Sequence, residues 1–187
     1  MNRMRLAIFV VVALAQLSVP AWAIWQRSQT LHHGRLWKFR TEPVDPVDAV
    51  RGRYVVLGFV ADQVPATERL PDGSTAYAIL KEGMDGFAVV ERLTTVNTGG
   101  DNVMKVEPGR WYDGKQHVIF PFNRYWVTEK LAPEAERAYA ENTAEQKQKA
   151  YVTVRVRNGD AALEELFLDG QPLKEYLRAN APSQPAR

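Results

Sequence analysis

The sequence predicts a mainly β fold, an antiparallel β-sandwich or partly open barrel, with one N-terminal transmembrane helix and one or two short surface helices. Three observations predict it. Eight short runs of strand-forming residues are separated by turn dipeptides, most of them ending in glycine, the spacing of sandwiches and barrels. The run Tyr151 to Arg157 alternates valines with polar residues, the period of a half-buried strand. Ahead of all of these, Leu6 to Gln26 carries no charge.

At 1.5 Å per residue that uncharged segment makes a helix about 30 Å long, the thickness of one bilayer core. Trp22 and Trp25 fall near its end, where amphipathic rings favour the headgroup layer, and Arg27 marks the return to water. A cleaved signal peptide is the competing reading. Arg3 and Arg5 then form the basic region, Leu6 to Leu17 the apolar one, and Ala21-Trp22-Ala23 the small-x-small cleavage site. The uncleaved anchor is preferred because apolar character continues past Ala23. Arg3, Arg5 and the terminal amine stand on one side of the segment, against Arg27, Arg35, Lys38 and Arg40 on the other. The last three fall in the first predicted strand, so Arg27 is the only charge of the stem, and the N-terminus is placed inside with the domain outside. The chain then divides into a cytoplasmic tail (1–5), an anchor (6–26), a helical stem (27–34), a β-rich domain (35–180) and a disordered tail (181–187).

The stem, Gln26 to His33, extends the membrane helix by two turns and ends at Gly34 in a C-cap role. Strands are predicted over Leu36–Thr41, Arg53–Ala61, Thr75–Lys81, Gly86–Val96, Asn102–Val106, Gln116–Phe120, Ala150–Arg157 and Ala162–Leu168. Turns are predicted at Asp72-Gly73, Asp85-Gly86, Gly99-Gly100, Pro108-Gly109, Asp113-Gly114, Asn158-Gly159 and Asp169-Gly170. Arg53–Ala61 has apolar residues on both faces and is predicted to be central. In Ala150–Leu168 the Asn158-Gly159 turn makes a hairpin with one wet face. Pro133–Gln148 reads as a surface helix with Pro133 at its first position and Glu134 and Glu136 in the first turn, and Leu173–Arg178 as a second.

Composition bounds the function. With 187 residues, 45% hydrophobic and 25% charged, the chain suits one domain and is too short for two plus the apolar segment. Lysines and arginines total 24 against 22 acids. Beyond Arg3 and Arg5 the signs balance, so a pI near 8.9 is no footprint for nucleic acid. The absence of cysteine excludes disulfides, thiolate catalysis, Cys-ligated zinc and iron–sulfur clusters.

The most distinctive run is Pro43-Val44-Asp45-Pro46-Val47-Asp48-Ala49-Val50-Arg51-Gly52-Arg53-Tyr54. Asp45 is a good N-cap, Pro46 suits the first helical position, and Asp48 stands where an acid reaches back to the cap amide. Gly52 then lets the backbone swing into the following strand. The functional alternative makes Glu42, Asp45 and Asp48 a hard-cation site. The structural reading is preferred, because the acids are few and the prolines account for the geometry.

Gly52-Arg53-Tyr54-Val55-Val56-Leu57-Gly58-Phe59 resembles the motif of the membrane-anchored bacterial proteins named for GDYXXLXY. Gly52, Tyr54 and Leu57 keep the pattern, while Arg53 replaces its Asp and Phe59 its final Tyr. The N-terminal apolar helix, Gly34, the Pro-x-Asp-Pro turn at Pro43 to Pro46, Arg51, and Arg124-Tyr125-Trp126-Val127-Thr128-Glu129 ahead of a helix resemble the family too. The resemblance implies a single-pass protein of the bacterial cytoplasmic (inner) membrane, with the domain outside the cytoplasm and a multi-pass membrane protein as a possible partner. It supplies no activity and no cofactor, and the Arg53 departure argues against a catalytic role for the motif's Asp. Tyr54 and Leu57 fall on opposite faces of a strand, and Tyr54 is predicted to fill the core with its hydroxyl at the rim.

Catalytic constellations are sparse. His32 and His33 adjoin the stem and His117 lies in a predicted strand, so a three-histidine metal site needs the stem folded back. Ser18 and Ser28 flank or enter the anchor, Ser74 lies in a turn and Ser183 in the tail, and no GxSxG elbow exists. Gly99-Gly100 precedes no lysine-bearing helix, so phosphate cradling has no support. Arg124, Tyr125, Trp126 and Glu129, with Arg110, Trp111 and Tyr112, form the best polar and aromatic set, the residue types of binding faces. The bland alternative packs Tyr125, Trp126 and Val127 between helix and sheet, with Arg124 and Glu129 as a surface pair. The preferred function is therefore a membrane-tethered binding or envelope-assembly domain. The alternative is an envelope hydrolase or metal-binding protein using Glu42, Asp45, Asp48 or Glu129.

Overall fold

In the computed structural model, which describes residues 3–43, 54–66, 69–144 and 148–180, the valine alternation sets the deepest layer of the core. Val152, Val154 and Val156 of β10 (Ala150–Arg157) are completely buried. Asn158 and Gly159 both adopt positive φ, as a tight hairpin turn demands, and return the chain along β11 (Asp160–Leu168). The opposite face of β10 is not uniformly wet. Thr153 is buried too, with its hydroxyl donating to the Glu165 carbonyl, and the Tyr151 ring stacks on Phe167 at 4.8 Å.

Around this hairpin the chain builds two five-stranded sheets, antiparallel throughout, that form a nearly closed, barrel-like layer. The first joins β12 (Gln171–Pro172), β11, β10, β1 (Arg35–Glu42) and β3 (Gly58–Phe59) in that order. The second joins β4 (Gln63–Pro65), β8 (Lys115–Ile119), β7 (Val103–Tyr112), β5 (Ala76–Glu82) and β6 (Ala88–Thr94). A two-stranded ribbon of β2 (Tyr54–Val56) and β9 (Arg124–Trp126) completes the sheet structure of the described residues. Phe39, Phe59, Phe120 and Phe122 meet in the core with ring centroids 5.2–6.1 Å apart. Their mostly edge-to-face contacts are the arrangement aromatic quadrupoles prefer.

The predicted strand Arg53–Ala61 is corrected by the structure. Its described part is not one central strand: β2 pairs with β9, β3 with β1, and, after a 3₁₀ turn at Val60–Asp62, β4 pairs with β8. The segment crosses from one sheet to the other in a dozen residues. Val55, Leu57 and Phe59 are buried, whereas Val56 and Val60 are exposed, so only one face is apolar and covered. Pro108-Gly109 is not a turn either. β7 continues through it as a bulge, with Pro108 opposite Val118 and Trp111 opposite Gln116. A proline, which lacks an N–H, belongs at such a break in the ladder. A side chain on Gly109 would meet the His117 ring at 3.0 Å.

Two helices pack on this layer. α2 (Ala132–Thr143) carries its proline near the start and buries Ala135, Ala138 and Tyr139 along one stripe. It stops at Thr143, short of the predicted Gln148, where Ala144 leaves the helical region at ψ 142° and the Asn142 and Thr143 side chains bond back to the carbonyls of Ala138 and Tyr139. α3 (Leu173–Ala179) buries Leu173 and Leu177.

The N-terminal helix α1 (Arg3–His33) is continuous and, among the described residues, is the one helix long and apolar enough to cross a membrane. Its last two turns lie against the β10–β11 hairpin. Gln26 donates to the Asp160 carboxylate, Arg157 donates to Gln29 at 3.2 Å, and Thr30 is buried. Gly34 ends the helix by donating to the Thr30 carbonyl at 2.9 Å. Its glycine is required by close approach: a Cβ there would stand 2.5 Å from the Thr30 oxygen and 3.0 Å from the Val156 oxygen. Arg35 and Arg40 of β1 pair with Glu82 and Asp85, so these cations belong to the domain and not to the stem.

The Asn158-Gly159 turn also holds the second sheet. Asn158 donates its N–H to Gly100 and accepts from the Gly100 N–H through its side chain. Gly159 exchanges bonds with Val103 and Lys105 of β7, and a Cβ at Gly159 would lie 2.7 Å from the Asn97 amide. Gly159→Ala should therefore lower stability by about 1–3 kcal/mol, measured by denaturant unfolding of the full chain in detergent. Gly170→Asn, at a positive φ with no atom within 4 Å of the added Cβ, should change it by less than about 0.5 kcal/mol.

Candidate functional site

Of the residues expected to matter in the motif run, Asp45, Pro46, Asp48 and Gly52 lie outside the described residues. Tyr54 and Leu57 are described, and they part company. Leu57 is buried in the core, and its N–H donates to the Asn123 carbonyl at 2.9 Å. Tyr54 does not fill the core: it is half-buried on the outer side of β2.

The β2–β9 register sets Tyr54 opposite Trp126, Val55 opposite Tyr125 and Val56 opposite Arg124. Because side chains alternate along a strand, Arg124 and Trp126 share the outer face with Tyr54 and Val56, while Tyr125 and Val55 turn inward. The Arg124 guanidinium sits 4.8 Å over the Tyr54 ring, and Trp126 meets the same ring edge-on at 5.2 Å. Each contact is worth about 0.5–1 kcal/mol at an exposed position. Trp126 nevertheless keeps 66% of its surface in water. Of the set expected from the sequence, the structure groups Arg124 and Trp126 with Tyr54, which was not expected there, and turns Tyr125 to the other face. The alternative packing role fits Tyr125 and Val127, which lie against the core, and fails for Trp126.

On the inner side Tyr125 donates its hydroxyl to the Glu165 carboxylate of β11. Burial, that hydrogen bond and the Glu165 charge together raise the Tyr125 pKa far above its ordinary value, so the phenol stays protonated and serves as a fixed donor. Nothing in the sequence links residues 40 positions apart, so Glu165 was not legible as a partner. Between this strand and α3 runs a cleft of about 250 Å³ lined by Tyr125, Trp126, Val127 and Leu131 on one side and by Leu173 and Leu177 on the other, with Lys174 at its rim. That volume is below the usual range of cofactor and drug sites. It suits one or two apolar side chains. Glu129 lies exposed in the turn between β9 and α2, and Trp111 and Tyr112 stand at the β7–β8 turn, on a different sheet.

The carboxylates gather elsewhere. Glu42, at the end of β1, lies within electrostatic reach of Asp62 and His117, and Asp62 pairs with the His117 ring at 3.1 Å. Burial raises the Glu42 pKa above its ordinary value, repulsion from Asp62 adds to this, and His117 opposes it. Burial likewise raises Asp62, against the pull of His117. Tyr139 donates to the Glu42 carbonyl at 3.0 Å, and its own pKa is pushed up to about 12, chiefly by burial. The described residues hold no group of three or more His, Asp or Glu placed for a metal ion.

A carboxyl whose folded pKa lies above its unfolded one holds extra protons in the folded state between the two values. Stability therefore falls as pH rises through that window. Glu42→Gln should accordingly raise the melting temperature of the full chain at pH 7. The gain should disappear below about pH 4, where the carboxyl is neutral in both states.

No curated protein and no solved structure matches the chain. The GDYXXLXY protein family does match it, over residues 16–166, a span running from within α1 to β11 that holds the Tyr54–Val56 strand, the Arg124–Trp126 strand paired with it and the Glu165 partner of Tyr125. By that match over most of its length, the chain belongs to the GDYXXLXY protein family.

Proposed function

We propose that this protein is a single-pass, membrane-tethered β-rich domain on the outer side of a bacterial inner membrane. It binds a membrane-protein partner, multi-pass in kind, and does so without catalysing a reaction. One observation carries the reading: the motif strand and the Arg124–Trp126 strand pair into a ribbon whose outer face presents Trp126, Val56 and an arginine stacked on Tyr54. Aromatic residues and arginine dominate association energies, because they combine large apolar area with directional hydrogen bonding. The apolar cleft beside the ribbon offers a socket for a partner's side chain, and Thr128 and Lys174 are the polar residues of its lining.

A second reading, an envelope hydrolase or metal-binding protein using Glu42, Asp45, Asp48 or Glu129, draws on the Glu42, Asp62 and His117 grouping. It is the weaker of the two. Of its carboxylates Asp45 and Asp48 lie outside the described residues, Asp62 is tied to His117 at 3.1 Å, and the described residues hold no group of three or more His, Asp or Glu placed for a metal ion.

Crosslinking in native membranes tests the binding reading. Trp126→Ala should lower capture of the partner about tenfold or more while changing stability by less than about 1 kcal/mol, as for other exposed positions. Tyr125→Phe should lower stability by about 1 kcal/mol through the lost hydrogen bond. Unchanged capture by a folded Trp126→Ala protein would remove the ribbon as the binding face. Loss of the cellular phenotype in a stable Glu42→Gln protein would favour the hydrolase reading.

A further inference from the structure

The stem is fixed to the domain at a definite height. Gln26, one residue beyond Trp25, bonds directly to Asp160 at the β10–β11 turn, and a single residue of helix is about 1.5 Å. Other segments are bonded to the same turn. Asn97 donates to the Asn158 carbonyl at 3.1 Å, Gly99 donates to the Asn97 side chain at 2.9 Å, and Gly100 is held by Asn158. This ties the Asn97–Gly100 part of the 95–101 loop to the turn that Gln26 holds, while the Asp101 carbonyl accepts from the Trp37 indole. Two residues past the end of β6, Val96 is 63% exposed, although its backbone N–H is bonded to the Thr94 hydroxyl.

A 21-residue uncharged segment ending at Gln26 reaches across one hydrocarbon core, and the paired rings of Trp22 and Trp25, 5.0 Å apart, mark where it meets the headgroups. Resting on the tether reading, we infer that the rim made by the 95–101 loop and the Asn158–Asp160 turn sits in the headgroup layer of the bilayer, with Val96 inserted at its surface. The occupant is the lipid surface itself. The rim itself carries two acids, Asp101 and Asp160, and no cation; Arg27 of α1 and Arg157 of β10 flank it and balance them, and its other polar groups are amides and hydroxyls. Contact then rests on apolar insertion and hydrogen bonding, and anionic lipid is not required.

The fold supplies its own control. Thr94, two residues before Val96, pairs with Tyr77, which touches the space beside Gly159, and from there β5 runs to the opposite end of the β5–β6 hairpin, where Met84 is fully exposed. That turn lies about 20 Å farther along the strand direction.

The chain has no cysteine, so Val96→Cys, Met84→Cys and Leu14→Cys each give a single label site in the full-length protein. The three proteins, labelled with bimane, are reconstituted in phosphatidylcholine vesicles carrying nitroxide-labelled lipid, with and without anionic phosphatidylglycerol. Strong quenching at Leu14 and at Val96, little at Met84, and no dependence of the Val96 signal on phosphatidylglycerol are expected. Quenching at Leu14 with Val96 no more quenched than Met84 would overturn the rim and leave the tether standing. Absence of quenching at Leu14 would overturn both. A Val96 signal that appears only with phosphatidylglycerol would overturn the neutral contact proposed here.

Discussion

The Asn158-Gly159 turn is the joint on which the structure depends. Two successive residues with positive φ close the β10–β11 hairpin, and the same two residues hydrogen-bond the loop before β7 and β7 itself. The flanking Arg157 and Asp160 hold Gln29 and Gln26 of α1. One four-residue turn thus connects the apolar helix to both sheets. The individual bonds are modest, each about 1 kcal/mol net. Their concentration at one place is what sets the geometry, because no member can move without disturbing two other elements. The buried Thr30 and the close contact of Gly34 with the β10 backbone extend the same joint along the helix end.

The second constraint is the broken segment from Tyr54 to Pro65. A strand that stayed in one sheet would have paired with one neighbour along its length. This one serves β9, β1 and β8 in turn, held by Val55, Leu57 and Phe59, which all drop into the core. The phenylalanine quartet that receives Phe59 includes Phe120 and Phe122, just before β9. Packing at Phe59 and Phe122 therefore brings the two ends of the ribbon together, and the ribbon's outer face is left to Tyr54, Val56, Arg124 and Trp126. The exposed aromatic face follows from how the core is filled.

Much of this was legible in residues whose effect is local. Asn158-Gly159 announced its hairpin because few other residue pairs adopt positive φ at both positions. Gly34 announced the end of α1, and the valines of β10 announced the buried face. What the sequence did not reveal depends on contacts between distant segments. The apolar residues on both faces of 53–61 read as a central strand, since periodicity has no way to show that a strand changes sheets at Gly58. Pro108-Gly109 read as a turn because those residues favour turns and bulges alike. Arg124, Tyr125 and Trp126 were recognised by type, but their division between an outer and an inner face came from pairing with Tyr54–Val56. The Glu165 partner of Tyr125 and the meeting of Glu42, Asp62 and His117 had no local signal at all. Asp45, Asp48 and Gly52 fall outside the described residues, so the capping reading of that run stands as an expectation.

The central claim is that the end of α1, the hairpin turn and both sheets move as one body, so that whatever the helix is embedded in fixes the height and orientation of the ribbon. Its most direct test is a pulsed electron–electron distance measurement on the full chain spin-labelled at Arg27→Cys and Met84→Cys, in detergent and in vesicles. A single narrow distance distribution, the same in both environments, is the predicted result. A broad distribution, or one that shifts between detergent and bilayer, would contradict the account by showing that the stem swings freely on the domain.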